Sequence, residues 1–179
     1  MAVTCGLPLN GAMASAVNML DDVHGGAGEQ AVELYQRIDA SGDTPGELAR
    51  WRAERGKYIP GFGHRFHKPV DPRAPRLMAL VRQAAADGAC DGRFATIAEG
   101  IEAQLARHAG KPVPMNIDGA TAVIYAELGF AAPLARGLFC LSRSVGILAH
   151  AWEQKQQGGR NKGPTPPAYR WTYAPPDKG

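Results

Sequence analysis

Apolar residues recur at helical spacing along almost the whole chain, and the alternation typical of β-strands is absent. A clear example is GEQAVELYQRI, in which Val32, Tyr35 and Ile38 fall on one face of a helix. Proline and glycine punctuate the joints between such stretches. The pattern predicts an all-α protein with helices at about residues 11–20, 28–40, 45–55, 72–87, 93–108, 117–128 and 132–154.

Capping residues indicate two of the helix starts. Thr44 is predicted as an N-cap, because Pro45 follows at the first helical position and Glu47 stands three residues on. Asp71, which precedes Pro72, is predicted as the N-cap of the next helix along the chain.

The two ends of the chain differ from the helical middle. The last stretch is rich in Gly and Pro without periodicity, which predicts an extended C-terminal arm that packs through Tyr169, Trp171 and Tyr173. The first stretch reaches an apolar helix and DDVHGGAGEQ almost at once, with no preceding element to cover them. A partner chain or an upstream segment is expected to supply that cover.

Composition sets broad limits on function. The 179 residues are 45% hydrophobic, enough for a sizeable core, and the net charge of +3 favours small anions over nucleic acid. Cys5, Cys90 and Cys140 are odd in number and widely separated, which favours a reducing, cytoplasmic setting. No uninterrupted apolar run approaches the ~20 residues of a membrane span, and the N-terminus has no basic region typical of a signal peptide.

His24 is the first candidate for chemistry. It is predicted at the end of an apolar helix, where Gly25 and Gly26 allow a backbone or a ligand to come close. A neutral imidazole there offers an N–H to a developing oxyanion. An isolated HGG is, however, more typical of a C-cap histidine before a glycine turn.

The second candidate is the stretch PGFGHRFHKPVDPRAP, residues 60–75. It joins a glycine loop to His64 and to several cations, and Asp71 is placed to orient Arg73, whose fork binds carboxylate or phosphate. A metal between His64 and His67 is disfavoured, because the stretch is a loop without a third ligand. Taken alone, the stretch is either a solvated basic loop or an anion site.

Two further stretches carry isolated charges. In KPVPMNIDGATAVIYAELGF, a prolyl loop leads to Asn116 and Asp118 just before an apolar helix. Asp118 is first of all a predicted N-cap, but partial burial would make it a candidate general base. In LARGLFCLSRSVGILAHAWEQK, Arg143 is costly on an apolar helix unless it is paired or meets a ligand, which favours an anion contact.

In this order and spacing, HGG, GFGHR followed by DPR, NIDG opening a helix, and SRSVGILAHAWEQ resemble the citrate synthase family. The resemblance covers most of the chain. It implies an all-helical fold with a large and a small domain, an active site in the cleft between them, and a tight homodimer.

The same resemblance implies a division of the chain. Residues 1–26 and 126–179 would belong to the large domain, the latter with the C-terminal arm, and residues 27–125 would form the small domain. The family has a further helical portion before the HGG histidine, which this sequence lacks. The resemblance therefore implies either a truncated or processed piece or a second subunit that supplies that portion.

The resemblance also implies residue roles. Asp118 would take a proton from the methyl group of acetyl-CoA while His24 hydrogen-bonds the enolic oxygen, and His64 would polarise the carbonyl of a dicarboxylate 2-oxo acid. Arg73 and Arg143 would hold the carboxylates of that acid. A coenzyme A thioester would be a substrate rather than a resident cofactor, and no metal would be needed. The coenzyme A site would be bordered by Pro60, Gly61, Gly63, Arg65 and Lys111.

Two departures from the family pattern bear on the reaction. Citrate synthases carry an arginine-proline pair near the C-terminus that reaches the partner subunit's site, whereas this chain has Gly163 there, with Arg160 or Lys162 as substitutes. NIDG and SRSVG with AHAWEQK are more similar to citryl-CoA lyases and to the lyase part of ATP-citrate lyase. Those enzymes split citryl-CoA into acetyl-CoA and oxaloacetate, so a citryl-CoA lyase-like enzyme is expected.

Three alternatives remain open from the sequence. A citrate or 2-methylcitrate synthase would use the same residues for condensation. A non-catalytic subunit of a heteromeric complex would keep the fold and need a partner for activity. A nucleic-acid module is disfavoured, because the arginines are spread over several helices rather than along one face.

Overall fold

The computed structural model describes residues 1–67, 69–161, 163 and 175. The described residues form seven α-helices and no β-strand: α1 (Leu9–Val17), α2 (Ala27–Ser41), α3 (Thr44–Arg55), α4 (Arg73–Ala86), α5 (Arg93–Ala109), α6 (Ile117–Glu127) and α7 (Ala132–Gln156). The predicted all-α class is confirmed. The predicted arm with Tyr169, Trp171 and Tyr173, and the substitute Lys162, lie outside the described residues.

The chain divides into two compact units. The larger unit is Gly25–Leu138, and the smaller unit combines Met1–His24 with the described residues from Phe139 onward. Helices α2 to α6 belong to the larger unit, α1 belongs to the smaller, and α7 begins in the larger and ends in the smaller. The division into domains at residues 27 and 125 stays a prediction.

Helix α2 forms the centre of the larger unit. Its residues Val32, Tyr35 and Ile38 are all buried, as the spacing predicts, and α2 packs against α6, whose buried residues are mostly alanines. Trp51 of α3 and Ile101 of α5 complete the same core. Full burial of each large apolar side chain contributes about 1.5–3 kcal/mol to folding, so this cluster holds the helices that surround α2.

Both predicted N-caps are wrong by one residue. The Asp43 carboxylate accepts from the Gly46 amide (2.9 Å), so Asp43 caps α3, and Thr44 is the first helical residue. Aspartate caps at least as well as threonine, and local sequence does not decide between two adjacent caps. At α4 the N-cap is Pro72, and the side chain of Asp71 binds other groups as well as the helix start.

The smaller unit buries small residues. Ala12 of α1 and Ala151 of α7 are its buried apolar residues among those described. The Asn161 amide donates to the Thr4 carbonyl oxygen (2.8 Å), which ties the chain after α7 to the segment before α1.

Helix α7 carries an exposed apolar face, here called the α7 face: Leu141, Val145, Leu148 and Trp152. These residues are spaced by four, three and four positions and therefore share one side of the helix. By length and composition alone, α7 is the one helix in the described part of the chain able to cross a membrane. The core helices of soluble proteins meet the same criterion, and Arg136 and Arg143 interrupt this helix.

Candidate functional site

Two loops of the larger unit pair with each other. Residues 60–64, the glycine loop, lie against residues 113–116, and Phe62 and Met115 form an isolated antiparallel bridge between them. The Gly63 amide extends this pairing by donating to the carbonyl oxygen of residue 114 (2.7 Å). The pairing brings together two segments that each lead directly to a predicted site residue.

Asn116 joins the glycine loop to the start of α6. Its amide donates to the Gly61 carbonyl oxygen (2.9 Å), and its Nδ2 donates to the Gly63 carbonyl oxygen (2.7 Å). Its Oδ1 accepts from the amides of Asp118 (2.9 Å) and Gly119 (3.1 Å). Asn116 is therefore the N-cap of α6, and the prediction that Asp118 takes this role is wrong.

Further bonds anchor the same region from within the core. The hydroxyl of Tyr35, fully buried on α2, donates to the Gly119 carbonyl oxygen (3.3 Å). Burial raises the pKa of Tyr35 far above its usual value, so the hydroxyl stays a donor. Glu102 of α5 accepts from the Met115 amide (2.9 Å). The loops that lead to the candidate site are therefore held by the rigid helices beneath them.

Asp71 and Arg73 form a bidentate pair. The Asp71 carboxylate is fully buried and accepts from Arg73 Nε (2.9 Å) and Nη2 (2.8 Å). Hydrogen bonds from Arg73 hold the pKa of Asp71 well below its usual value, and Asp71 in turn raises the pKa of Arg73. The charge of Asp118 also raises the pKa of Arg73, which places that carboxylate within electrostatic reach. About half of the Arg73 side chain, 47%, remains exposed as a cation for a ligand.

His64 is held in one tautomer by backbone donors. Its Nδ1 accepts from the amides of Phe66 (3.0 Å) and His67 (2.9 Å), so a neutral ring carries its proton on Nε2. The ring is half-buried, and its centroid lies 4.5 Å from that of His67. The arrangement presents an Nε2–H donor. Among the described residues, no group of three His, Cys, Asp or Glu side chains is placed to hold a metal ion.

The remaining predicted residues of the larger unit lie on or near the paired loops. Gly61 is buried, Pro60 and Gly63 are half-buried, and Arg65 is exposed just after the loop. Lys111 is exposed in the segment that leads from α5 to residues 113–116. The paired loops therefore combine backbone groups with exposed cations, which suits an anionic ligand.

His24 and Arg143 lie in the smaller unit. The prediction that His24 ends an apolar helix is wrong, because α1 ends before its C-cap Asn18 and the His24 carbonyl oxygen accepts from the Asp21 amide (2.9 Å) in a later turn. His24 is exposed there. Arg143 is exposed on α7, with its guanidinium 4.9 Å from the ring centroid of Phe139, a cation–π contact. A shared site for these two residues with Asp118 stays a prediction.

The position that departs from the family pattern also lies in the smaller unit. The Gly163 amide donates to Asn161 Oδ1 (3.0 Å), and Gly163 is exposed. Arg160, the substitute cation that the structure describes, is exposed as well. Its contact with a ligand carboxylate stays a prediction.

Sequence reasoning missed three contributors to the site. The capping role of Asn116 had a local signal, since asparagine ranks with aspartate as an N-cap. The bond from the Ile117 amide to Asp71 Oδ2 (3.0 Å) and the bond from Tyr35 to Gly119 had none. Each of those two bonds joins residues from different helices or loops, and nothing within either stretch of sequence identifies the partner.

Comparison with known proteins agrees with the architecture. Residues 5–166 match the citrate synthase C-terminal domain. The chain is 30% identical over 147 residues to citrate synthase of Haloferax volcanii, covering 82% of this chain and 38% of that protein. It is 34% identical over 148 residues to citrate/2-methylcitrate synthase of Bacillus subtilis, covering 82% and 39%. The chain therefore spans less than two fifths of the length of these curated relatives.

A solved structure shows the likeness over nearly the whole chain. The citryl-CoA lyase of Hydrogenobacter thermophilus superposes with a TM-score of 0.80 at 30% identity, covering 99% of this chain and 68% of the lyase chain. At this level of similarity the helical architecture is shared as well as the sequence.

Proposed function

The chain belongs to the citrate synthase family, and we propose that it acts as a citryl-CoA lyase. The reaction is the cleavage of citryl-CoA into acetyl-CoA and oxaloacetate, or the formation of the same carbon–carbon bond. The observation that carries the proposal is the larger unit's arrangement of His64 as an Nε2–H donor, with Arg73 bonded to Asp71, which also accepts from the amide of Ile117 next to Asp118. The likeness to the H. thermophilus lyase supports the direction of cleavage.

The proposed roles of the residues are simplest to follow in the direction of condensation. Asp118 removes a proton from the methyl group of acetyl-CoA, and the resulting enolate oxygen is held by His24. The enolate carbon attacks the carbonyl carbon of oxaloacetate, whose oxygen accepts from His64 Nε2–H as negative charge develops on it. That oxygen then takes a proton from solvent to become the hydroxyl of citryl-CoA, and Asp118 returns its proton to solvent. A positioned donor of this kind contributes about 3 kcal/mol to the transition state. Cleavage follows the same steps in reverse, and Asp118 returns the proton to the acetyl carbon.

Arginine and the glycine loop account for binding. Arg73, with half of its side chain exposed, holds one carboxylate of the four-carbon acid, and Arg143 holds another. The backbone at Gly61 and Gly63 and the exposed cation of Arg65 border the coenzyme A thioester, which is a substrate. Pro60 and Lys111 border the same ligand. The proposed chemistry uses positioned donors and cations, and no metal takes part.

Assembly is part of the proposal. The α7 face exposes four apolar side chains along one side of a helix, which is typical of a surface that another protein element covers. We place the protein in the cytoplasm as a homodimer or larger assembly. A second polypeptide that supplies further helices is the alternative.

Citryl-CoA provides the direct test. Purified protein is incubated with citryl-CoA, and oxaloacetate is followed by its reduction with NADH and malate dehydrogenase while acetyl-CoA is quantified by chromatography. The expected result is equal amounts of both products, abolished in Asp118→Asn and retained in His67→Ala. Absence of both products from folded, dimeric protein would overturn the proposal.

Two other functions make different predictions. A citrate or 2-methylcitrate synthase, favoured by 34% identity to the B. subtilis enzyme, would release free thiol from acetyl-CoA or propionyl-CoA in the presence of oxaloacetate. A non-catalytic subunit would show no turnover alone and would gain activity or bind tightly when a second polypeptide is added. Thiol detection identifies the synthase, and the citryl-CoA assay with and without such a partner separates the lyase from the non-catalytic subunit.

A further inference from the structure

We propose that Asp71 is a positioning residue that sets two parts of the site at once, namely the guanidinium of Arg73 and the first turn of α6, which carries Asp118. The proposal rests on the proposed function for its effect on turnover. The positioning itself is a property of the larger unit and has a readout that needs no substrate.

The Asp71 carboxylate makes four bonds with both of its oxygens. Oδ1 accepts from Arg73 Nε (2.9 Å) and from the Arg73 amide (3.2 Å). Oδ2 accepts from Arg73 Nη2 (2.8 Å) and from the Ile117 amide (3.0 Å), across 46 positions of sequence. With no exposed surface, Asp71 joins the start of α4 to the start of α6.

The pair leaves one edge of the arginine for a ligand. Guanidinium has five N–H donors in a rigid plane, and Asp71 occupies the edge formed by Nε and Nη2. The edge formed by Nη1 and the second Nη2 proton then points in a fixed direction relative to the carboxylate. Because about half of the Arg73 side chain is exposed, packing alone restricts it little, and Asp71 supplies the orientation.

The bond from the Ile117 amide to Asp71 positions the segment that carries Asp118, the proposed general base. Helix α6 begins with three amides that have no partner within the helix. Asn116 accepts from those of Asp118 and Gly119, and Asp71 accepts from that of Ile117. The backbone on both sides of the Asp118 side chain is therefore bonded to side chains from outside α6.

Stability alone is a weak reason for such a residue. A buried ion pair loses much of its attraction to desolvation, and apolar replacements of similar volume are often neutral or stabilising. Orientation of a binding cation and of a catalytic carboxylate is a stronger reason, since small displacements of reacting groups cost up to about a hundredfold in rate.

The test compares Asp71→Asn with Glu47→Gln. Glu47 is a matched control, because it is a buried carboxylate of the same unit, paired with Arg37 (3.0 Å) and Arg50 (2.6 Å) on the side of α3. Both variants are expected to lower the unfolding midpoint. Nuclear magnetic resonance is expected to show loss of the protected Arg73 Nε–H signal and faster exchange of the Ile117 amide in Asp71→Asn, with both signals unchanged in Glu47→Gln.

Kinetics supply the second readout. In Asp71→Asn, the KM for citryl-CoA is expected to rise about tenfold through Arg73, and kcat is expected to fall about tenfold through Asp118. In an Arg73→Lys background, Asp71→Asn is expected to lower kcat as before but to change KM little further, because the arginine fork is already lost. Glu47→Gln is expected to leave both constants within about twofold of wild type.

The outcomes separate the two proposals. Unchanged Arg73 and Ile117 signals in Asp71→Asn, or kinetic losses equal to those of Glu47→Gln, would overturn the positioning role. Altered signals in a protein that turns over no citryl-CoA would uphold positioning and count against the proposed function. If Asp71→Asn does not fold, Asp71→Glu keeps the charge on a longer side chain, and a normal KM and kcat in that variant would also contradict the proposal.

Discussion

The backbones of Gly61 and Gly119 meet without any side chain between them. A Cβ on Gly61 would lie 2.7 Å from the Cα of Gly119, and a Cβ on Gly119 would lie 2.9 Å from Cγ of Met115. Gly61 also has a φ of +84°, which side-chain-bearing residues rarely adopt. This contact seats the glycine loop, which ends at His64, on the first turn of α6.

Gly119→Ala is therefore expected to destabilise the protein by about 1–3 kcal/mol, because the added methyl group forces the two segments apart. Gly100→Ala in the middle of α5 is the matched control, since its Cβ would meet nothing within 4 Å. That control is expected to stabilise by about 0.5–1 kcal/mol through helix propensity. Urea unfolding measures both changes, and shifts of the same sign would contradict the close-contact argument.

His64, at the end of the glycine loop, and His67, three residues later, are expected to differ in importance. His64→Ala removes the Nε2–H donor and should abolish turnover of citryl-CoA, as should Arg73→Ala. His67→Ala should retain most of it, because the bond that holds His64 comes from the backbone amide of His67, which alanine keeps. Steady-state rates of the three variants test this division, and equal losses in all three would contradict it.

The pairing of Asp71 with Arg73 predicts a dependence of stability on pH. The folded-state pKa of Asp71 is lowered, so its contribution is complete above the unfolded value of about 3.9 and is lost as the pH falls toward the folded pKa. The difference in unfolding free energy between wild type and Asp71→Asn is expected to be constant from about pH 6 to 8 and to shrink below about pH 4. Urea unfolding at pH 7, 5 and 3 measures it. A difference that grows toward low pH would contradict a lowered pKa of Asp71 in the folded protein.

The α7 face is expected to mediate association. Val145→Glu places a charge in the middle of this face, where 74% of the valine is exposed, and should weaken self-association or binding of a second polypeptide at least about tenfold. Leu80→Glu is the control, since Leu80 is 60% exposed but lies on α4 in the larger unit. Sedimentation velocity over a range of concentrations provides the measurement. Equal changes in association for the two variants would contradict a role of the α7 face in assembly.

Much of the fold could be predicted because helical periodicity is local. Val32, Tyr35 and Ile38 share one face at helical spacing, and all three are buried. The errors arose at helix ends. At α3, Asp43 and Thr44 are both competent caps, and short-range propensity does not choose between neighbours whose energies differ by a few tenths of a kcal/mol.

In the candidate site, too, local features could be predicted and contacts between distant segments could not. Periodicity and motif order are properties of neighbouring positions, so the all-α class, the family and the residue types available for chemistry could be predicted from them. The bond from Asp71 to the amide of Ile117, and the role of Asn116 rather than Asp118 as the cap of α6 that also holds the glycine loop, became visible in the folded protein. Such bonds depend on packing that brings distant segments within about 3 Å, and no local pattern encodes that distance.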